Sequence, residues 1–115
     1  MFKVKIVHMI LNKKTDDALK ALSDFYRVDA PRLKVGLPKK YSKNVGCYVS
    51  KTKTIHVSSG EKLEDPFVIL HEFYHHLRMQ DGKHRGTEKY ANKFAMDFIE
   101  AFKTSRRYSF HVSNK

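Results

Sequence analysis

Two histidines one helical turn apart, with a glutamate beside the first, are the residues of this chain whose types and spacing best fit a chemical role. Residues 71–75 read His71-Glu72-Phe73-Tyr74-His75, an H-E-x-x-H pattern. Imidazoles at positions i and i+4 of a helix point the same way and can bind one zinc ion. Glu72 lies about 100° further around such a helix, so it can reach a water beside the ion without binding the ion. The pattern predicts one zinc ion per chain, with Glu72 as the catalytic base.

The motif needs a helix, and the flanking sequence predicts one. Asp65 is a favourable N-cap and Pro66 suits the first helical position, so we expect a helix from Pro66 to about Gln80, with Gly82 at its C-terminal cap. Its apolar stripe consists of Leu70, Phe73, Tyr74 and Leu77. The two histidines point away from this stripe, so they can line a cleft while the stripe packs in the core. The alternative is that they are ordinary surface residues.

A second helix supplies the candidate third ligand. Thr87 can cap a helix that runs to about Lys103, and its apolar face consists of Ala91, Phe94, Ala95, Phe98, Ile99 and Phe102. Glu88 and Asn92 fall inside this face, and burying an unpaired carboxylate is costly. A metal held by the two histidines would pair with Glu88. The alternative is a solvated Glu88 that favours the positive end of the helix dipole.

Two other residues between the helices have metal-binding side chains. Asp81 and His84 lie in the predicted loop, where no downstream pattern supports either as a ligand. Both rank below Glu88 as the third ligand. A longer metzincin motif is excluded, because Arg78 and Asp81 occupy the positions where that motif needs Gly and His.

The combination of His71-Glu72-x-x-His75 with Glu88-x-x-Ala91-Asn92 resembles the gluzincin metallopeptidases. More narrowly, it is similar to the minigluzincins, short proteins that share their fold with catalytic domains of integral-membrane metallopeptidases. The resemblance covers residues 66–103. It implies that Glu88 is the third zinc ligand and that Asn92 orients a ligand histidine.

The same resemblance implies the fold and the reaction. The expected fold is α+β and zincin-like: a small twisted β-sheet with a backing helix, an active-site helix and a glutamate helix. The expected activity is that of a zinc metalloendopeptidase, with peptides or unfolded proteins as substrates. No covalent intermediate is expected, since Glu72 would activate a water and then protonate the leaving amine.

The first half of the chain should provide the sheet and the backing helix. Alternation of apolar residues and lysines predicts a strand over residues 2–11. Thr15 should cap a helix that ends near Val28. Residues 33–37 are expected to form a short strand, and residues 47–50 and 54–59 a hairpin. The segment 46–50 is the candidate edge strand for binding an extended substrate.

The end of the chain is expected to be a tail, residues 105–115, that follows a metallopeptidase domain of residues 1–104. Tyr108, Phe110 and Val112 alternate as in a strand. An extended tail could lie in the active-site cleft with His111 near the metal, which would make the protein a latent zymogen. The alternative is a frayed terminus.

Composition and charge narrow the classes of protein to which this chain can belong. The chain has 23 Lys and Arg against 12 Asp and Glu, a net charge of +11, but no basic run exceeds two residues. The alternative function is therefore a basic nucleic-acid-binding domain with an incidental or structural metal site. The single cysteine, Cys47, excludes an internal disulfide framework and favours a cytoplasmic protein. No apolar run approaches the length of about 20 residues that spans a membrane.

Overall fold

Four α-helices and a three-stranded mixed sheet make up the described part of the chain, which confirms the expected α+β class. The computed structural model describes the backbone of residues 1–81 and 88–113, and the side chains of residues 1–79 and 88–106. The elements, in chain order, are α1 Phe2–Leu11, α2 Thr15–Tyr26, β1 Arg32–Val35, β2 Gly46–Val49, β3 Thr54–Val57, α3 Pro66–Asp81 and α4 Glu88–Ser113. Short 3-10 helices occur at Lys39–Tyr41 and Gly60–Glu64.

The N-terminal segment corrects a prediction: residues 2–11 form helix α1 and not a strand. Its fully buried residues are Ile6, Val7 and Ile10. This spacing of i, i+1 and i+4 is that of one helix face, and α1 packs with it against α2 and α4. The alternation with lysines covers only the first five residues, too few to outweigh the packing of a helix in the core.

Helix α2 begins at Thr15 as predicted, but the threonine does not cap it. The N-cap position is Lys14, and no side chain makes a capping hydrogen bond there. The hydroxyl of Thr15 instead donates to the carbonyl of Leu63 in the 3-10 helix that precedes α3. The helix ends at Tyr26, before the predicted Val28, because Arg27 adopts a left-handed conformation with φ of 59°.

The sheet has the order β1-β3-β2. Strand β1 runs parallel to β3, with Leu33 opposite Ile55. Strand β2 runs antiparallel to β3, with Tyr48 opposite Ile55, so the predicted hairpin is confirmed. Ile55 and Val57 are fully buried in the core. Strand β2 forms one edge of the sheet, as predicted, and it lies against α3.

Helix α3 begins as predicted. The Asp65 carboxylate accepts the backbone N–H groups of Phe67 at 3.0 Å and Val68 at 3.3 Å, which is the geometry of an N-cap. The predicted stripe of α3 is buried, and it packs against Ala91, Ala95 and Phe98 of α4. The predicted cap residues at the other helix ends, Gly82 and Thr87, lie outside the described residues.

The end of the chain corrects a second prediction. Helix α4 continues to Ser113, ten residues beyond the predicted end at Lys103, so the backbone of residues 105–113 is helical and not extended. At 1.5 Å per residue, the backbone of residue 111 lies about 35 Å along the axis from Glu88 if the helix is straight. The side chain of His111 lies outside the described residues. Inhibition by His111 stays a prediction, and it would require the end of α4 to unwind.

Candidate metal centre

Three side chains from α3 and α4 meet at one point. Nε2 of His71 lies 2.9 Å from Oε1 of Glu88, and Nε2 of His75 lies 2.8 Å from Oε2 of the same carboxylate. The two imidazole centroids are 5.1 Å apart. Helix α3 brings the histidines together because they are four residues apart, and the packing of α4 on α3 brings the carboxylate to them.

The geometry and the donor atoms fit a zinc ion. One ligand atom from each of the three residues can be chosen so that all lie within 4.8 Å of one another. Ligand atoms around a tetrahedral zinc, with bonds of about 2.0–2.1 Å, lie about 3.4 Å apart. The two nitrogen–oxygen distances found here are about 0.5 Å shorter than that, so a small separation of the side chains suffices. Two imidazoles and one carboxylate form the three-ligand set of catalytic zinc sites.

The burial of the three residues is uneven. The side chains of His71 and His75 are 12 % and 20 % exposed, whereas that of Glu88 is 73 % exposed. The expectation that Glu88 lies within the buried face of α4 is therefore wrong. Glu88 is the first residue of α4, and the packed part of that helix begins at Ala91. The carboxylate reaches the histidines from the solvent side, which leaves the site accessible.

The pKa of His75 and the second ring nitrogen of His71 both bear on metal binding. Burial lowers the pKa of His75 and outweighs the opposing effect of the Glu88 carboxylate. The neutral form, which is the form that binds metals, is thereby favoured. Nδ1 of His71 is buried and has no hydrogen-bond partner among the described residues. His71 thus directs its paired nitrogen, Nε2, at Glu88 and the candidate metal position.

Glu72 lies beside the ligand set, as the motif predicts. It is 8 % exposed, and its side chain lines the same cleft as both histidines. Burial, followed by repulsion from the Glu88 carboxylate, raises the pKa of Glu72 to about 7. A cation bound between the histidines would oppose this shift by favouring the charged carboxylate. Glu72 therefore has the position and the access of a base that acts on a molecule in the cleft.

The cleft lies between α3 and the edge strand β2. Its volume is about 280 Å³, and β2 residues Gly46, Cys47 and Tyr48 form one wall. A second compartment, of about 330 Å³, adjoins it at Gly46 and is lined by Val45, Phe67 and Val68. Both compartments include His71, Glu72 and Glu88 in their walls. The candidate metal centre thus lies where the two compartments meet.

Gly46 allows this close approach of strand and helix. A Cβ atom at this position would lie 2.8 Å from Cγ1 of Val68 and 3.4 Å from Cγ of Glu72. The first distance is shorter than any normal carbon–carbon contact, so only glycine lets β2 lie this close to the glutamate. The sequence reasoning treated Gly46 only as the start of the edge strand. No local signal distinguishes a glycine of this kind from one in a turn.

The structure does not bring every predicted residue into the site. Asn92 is exposed, and in the described part of the chain no hydrogen bond joins it to His71 or His75. It follows Glu88 by four residues, so the two residues lie on the same side of α4, one turn apart. The orienting role of Asn92 stays a prediction. The side chain of Asp81 and the whole of His84 lie outside the described residues.

His76 is a residue whose importance the sequence reasoning missed. It directly follows His75 of the motif, and it is fully buried. Its Nε2 lies 2.6 Å from the carbonyl oxygen of Asp29, and its Nδ1 lies 2.7 Å from the hydroxyl of Tyr48. A neutral ring that donates from Nε2 and accepts at Nδ1 satisfies both contacts, and burial lowers its pKa accordingly. His76 thereby joins α3 to β2 and to the segment before β1.

The missed signal for His76 was its helical position. It follows Ile69 by seven residues, which is close to two full turns, and Ile69 is fully buried. The buried arc of α3 is thus wider than the stripe of four residues taken from the sequence. A polar residue inside that arc needs partners, and Tyr48 and Asp29 supply them.

Comparison of the chain with known protein families, curated proteins and solved structures finds no match. In residues 1–81 and 88–113, no helix carries an apolar stretch long enough to cross a membrane. The site itself offers a candidate three-ligand set, a neighbouring carboxylate and a cleft beside a sheet edge.

Proposed function

We propose that this protein is a zinc-dependent peptidase of the gluzincin type, which hydrolyses peptide bonds in peptides or unfolded proteins. The observation that carries the proposal is the convergence of His71, His75 and Glu88 from two helices, with Glu72 next to them in the cleft. Chance surface placement does not account for a carboxylate within 3 Å of both motif histidines. The three-ligand set, open to the cleft, is typical of catalytic zinc and not of structural zinc.

In this mechanism, His71, His75 and Glu88 hold the ion. When bound, zinc would polarise the substrate carbonyl and make water easier to deprotonate. Glu72 accepts a proton from a water in the cleft while the water oxygen bonds to the carbonyl carbon. As the carbon–nitrogen bond breaks, Glu72 returns this proton to the leaving amine. No covalent bond to the protein forms.

The edge strand β2 is the proposed platform for the substrate. An extended peptide could add to this edge through main-chain hydrogen bonds, parallel to the cleft and beside Glu72. This use of a sheet edge next to an active-site helix, together with the two helices that supply the ligands, favours a zincin-like fold.

The direct test combines metal analysis with proteolysis. We expect about one zinc per chain after purification, and degradation of an unfolded casein substrate that a chelator abolishes and added zinc restores. Glu72→Gln should keep the zinc and lower hydrolysis by about 10² to 10⁴-fold, the usual contribution of a general base. The matched control is Glu61→Gln, which makes the same chemical change at an exposed position in the Gly60–Glu64 helix.

The outcomes separate the parts of the proposal. Absence of stoichiometric zinc after exposure to the metal would contradict the ligand assignment. Bound zinc without any chelator-sensitive hydrolysis would contradict the peptidase and leave a structural metal site. Hydrolysis that survives Glu72→Gln would show that another group acts as the base.

A further inference from the structure

One wall of the cleft comes from a part of the chain that lacks acidic residues. Residues 30–60, which include all three strands, contain seven Lys or Arg and no Asp or Glu. The cleft side of this segment includes Tyr41, Asn44 and β2. In the described residues, only Lys53 among these seven cations has an ion-pair partner, an exposed contact of 3.8 Å with Asp29. The segment therefore contributes positive charge to the surroundings of the cleft.

The opposite wall adds a cation of its own. Arg78 follows His75 by three residues on α3 and lines the same cleft. Its guanidinium is close enough to contribute to lowering the pKa of His75. Its one described hydrogen bond is a long contact of 3.5 Å with the sulfur of Met79, and it pairs with no carboxylate in the described residues. Within the described residues, this fork of donors is available to a ligand.

Apart from the candidate ligand Glu88 and the candidate base Glu72, the described lining of this cleft contains no acidic side chain. A guanidinium favours a carboxylate, which it can bind through two parallel hydrogen bonds. From these observations we infer that the cleft selects acidic polypeptide segments, and that Arg78 is a specificity-determining residue that pairs with an Asp or Glu side chain of the substrate. This inference rests on the proposed function and names its substrate class.

A polypeptide fits the cleft better than a nucleic acid does. Strand β2 offers an edge of main-chain donors and acceptors beside the site, which an extended peptide can use. Tight nucleic-acid binding needs contacts to several phosphates, whereas the described cleft lining holds the single cation Arg78. The lysines of residues 30–60 lie outside the lining, where they can attract an acidic chain without making specific contacts to it in the cleft.

The test measures binding in the Glu72→Gln variant, so that turnover does not consume the peptide. Three labelled decapeptides of one sequence carry Asp and Glu, Asn and Gln, or Lys at the same positions, and anisotropy gives each Kd at several salt concentrations. The acidic peptide should bind best, with an advantage that falls as salt increases. Adding Arg78→Gln should weaken the acidic peptide about fivefold and the amide peptide less than twofold.

The matched control is Arg32→Gln. It removes the same charge from an exposed position on β1, at the far edge of the sheet from the cleft. It should change the preference for the acidic peptide less than twofold. If both arginine variants weaken the acidic peptide equally, net charge and not Arg78 explains the preference, and the specificity role is wrong.

Other outcomes would overturn the inference in distinct ways. Equal affinity for the acidic and amide peptides would exclude acidic selection. A single-stranded oligonucleotide that binds more tightly than the acidic peptide, and is weakened by Arg78→Gln, would assign the cleft to nucleic acid. Zinc-dependent cleavage of both peptides at one rate by the wild type would overturn the inference and leave the proposed function intact. Selective binding without cleavage of any peptide would contradict the proposed function instead.

Discussion

The two adjacent histidines of α3, His75 and His76, have opposite surroundings. His75 is partly exposed, lines the cleft and contacts the carboxylate of Glu88. His76 is fully buried and contacts Tyr48 and the carbonyl of Asp29. A rotation of about 100° between neighbouring residues of a helix is enough to place one ring in a candidate metal site and the other in the core.

The comparison separates two kinds of contribution. The contact of His75 with Glu88 adds little to folding stability, because the side chain of Glu88 is largely solvated. His76 has no access to a ligand, and its two hydrogen bonds join three parts of the chain. We therefore expect a loss of metal binding from one substitution and a loss of folding stability from the other.

The largest expected effect comes from His75→Ala. Removal of one of three ligands should weaken zinc binding by more than about 100-fold. This loss exceeds the loss expected when only a residue that hydrogen-bonds to a ligand is removed. In the metal-free protein, the free energy of unfolding should change by less than about 1 kcal/mol, because the lost contact involves an exposed partner. Competition with a chromophoric chelator measures the first quantity, and urea unfolding in chelator measures the second.

His76→Ala should have the opposite profile. It leaves a cavity and removes the hydrogen-bond partner of the Asp29 carbonyl and of the Tyr48 hydroxyl, so the free energy of unfolding should fall by about 3 kcal/mol. The control is His8→Ala on α1, an exposed histidine whose replacement should cost less than about 0.5 kcal/mol. Urea unfolding in chelator compares all three variants. Equal stability of the His76 and His8 variants would show that the buried hydrogen bonds do not join the parts of the fold.

Strand β2 contacts α3 at two points: Tyr48 contacts His76, and Gly46 lies against Val68. Gly46→Ala should lower the free energy of unfolding by about 2 kcal/mol, because the new methyl group overlaps with Val68. Adding Val68→Ala to the Gly46→Ala variant should relieve this overlap. The double variant should therefore lose less free energy of unfolding than the sum of the two single variants. Strictly additive losses in urea unfolding would contradict the close contact.

Much of the site was predictable because it depends on short-range spacing. The histidine pair needs only a helix, and the Asp65-Pro66 start of that helix is a local signal that the structure confirms. The convergence of Glu88 on the histidines was expected from the resemblance, and its contact distances agree with that expectation. Its exposure was not expected, because a helical wheel does not show where the packed part of a helix begins.

The errors arose where two periods fit the same residues or where distant parts of the chain meet. Phe2, Val4 and Ile6 alternate as in a strand, yet burial of Ile6, Val7 and Ile10 against α2 and α4 makes the segment helical. The contact of His76 with Asp29 joins residues 47 positions apart. Local sequence carries no information on such a pair, and only the packing of the loop before β1 reveals it.

The smallest expected effect concerns the far end of α4 and tests the predicted latency. If α4 stays helical to Ser113, the backbone of residue 111 lies about 35 Å along the axis from Glu88, so His111→Ala should leave zinc-dependent hydrolysis within about twofold of wild type. If the end of α4 unwinds and the tail does inhibit, the same variant should be several times more active than wild type. Unchanged or increased hydrolysis both differ from the expected result of His75→Ala, which should abolish hydrolysis because it removes a metal ligand. Hydrolysis assays at matched zinc occupancy therefore decide whether any histidine outside α3 acts on the site.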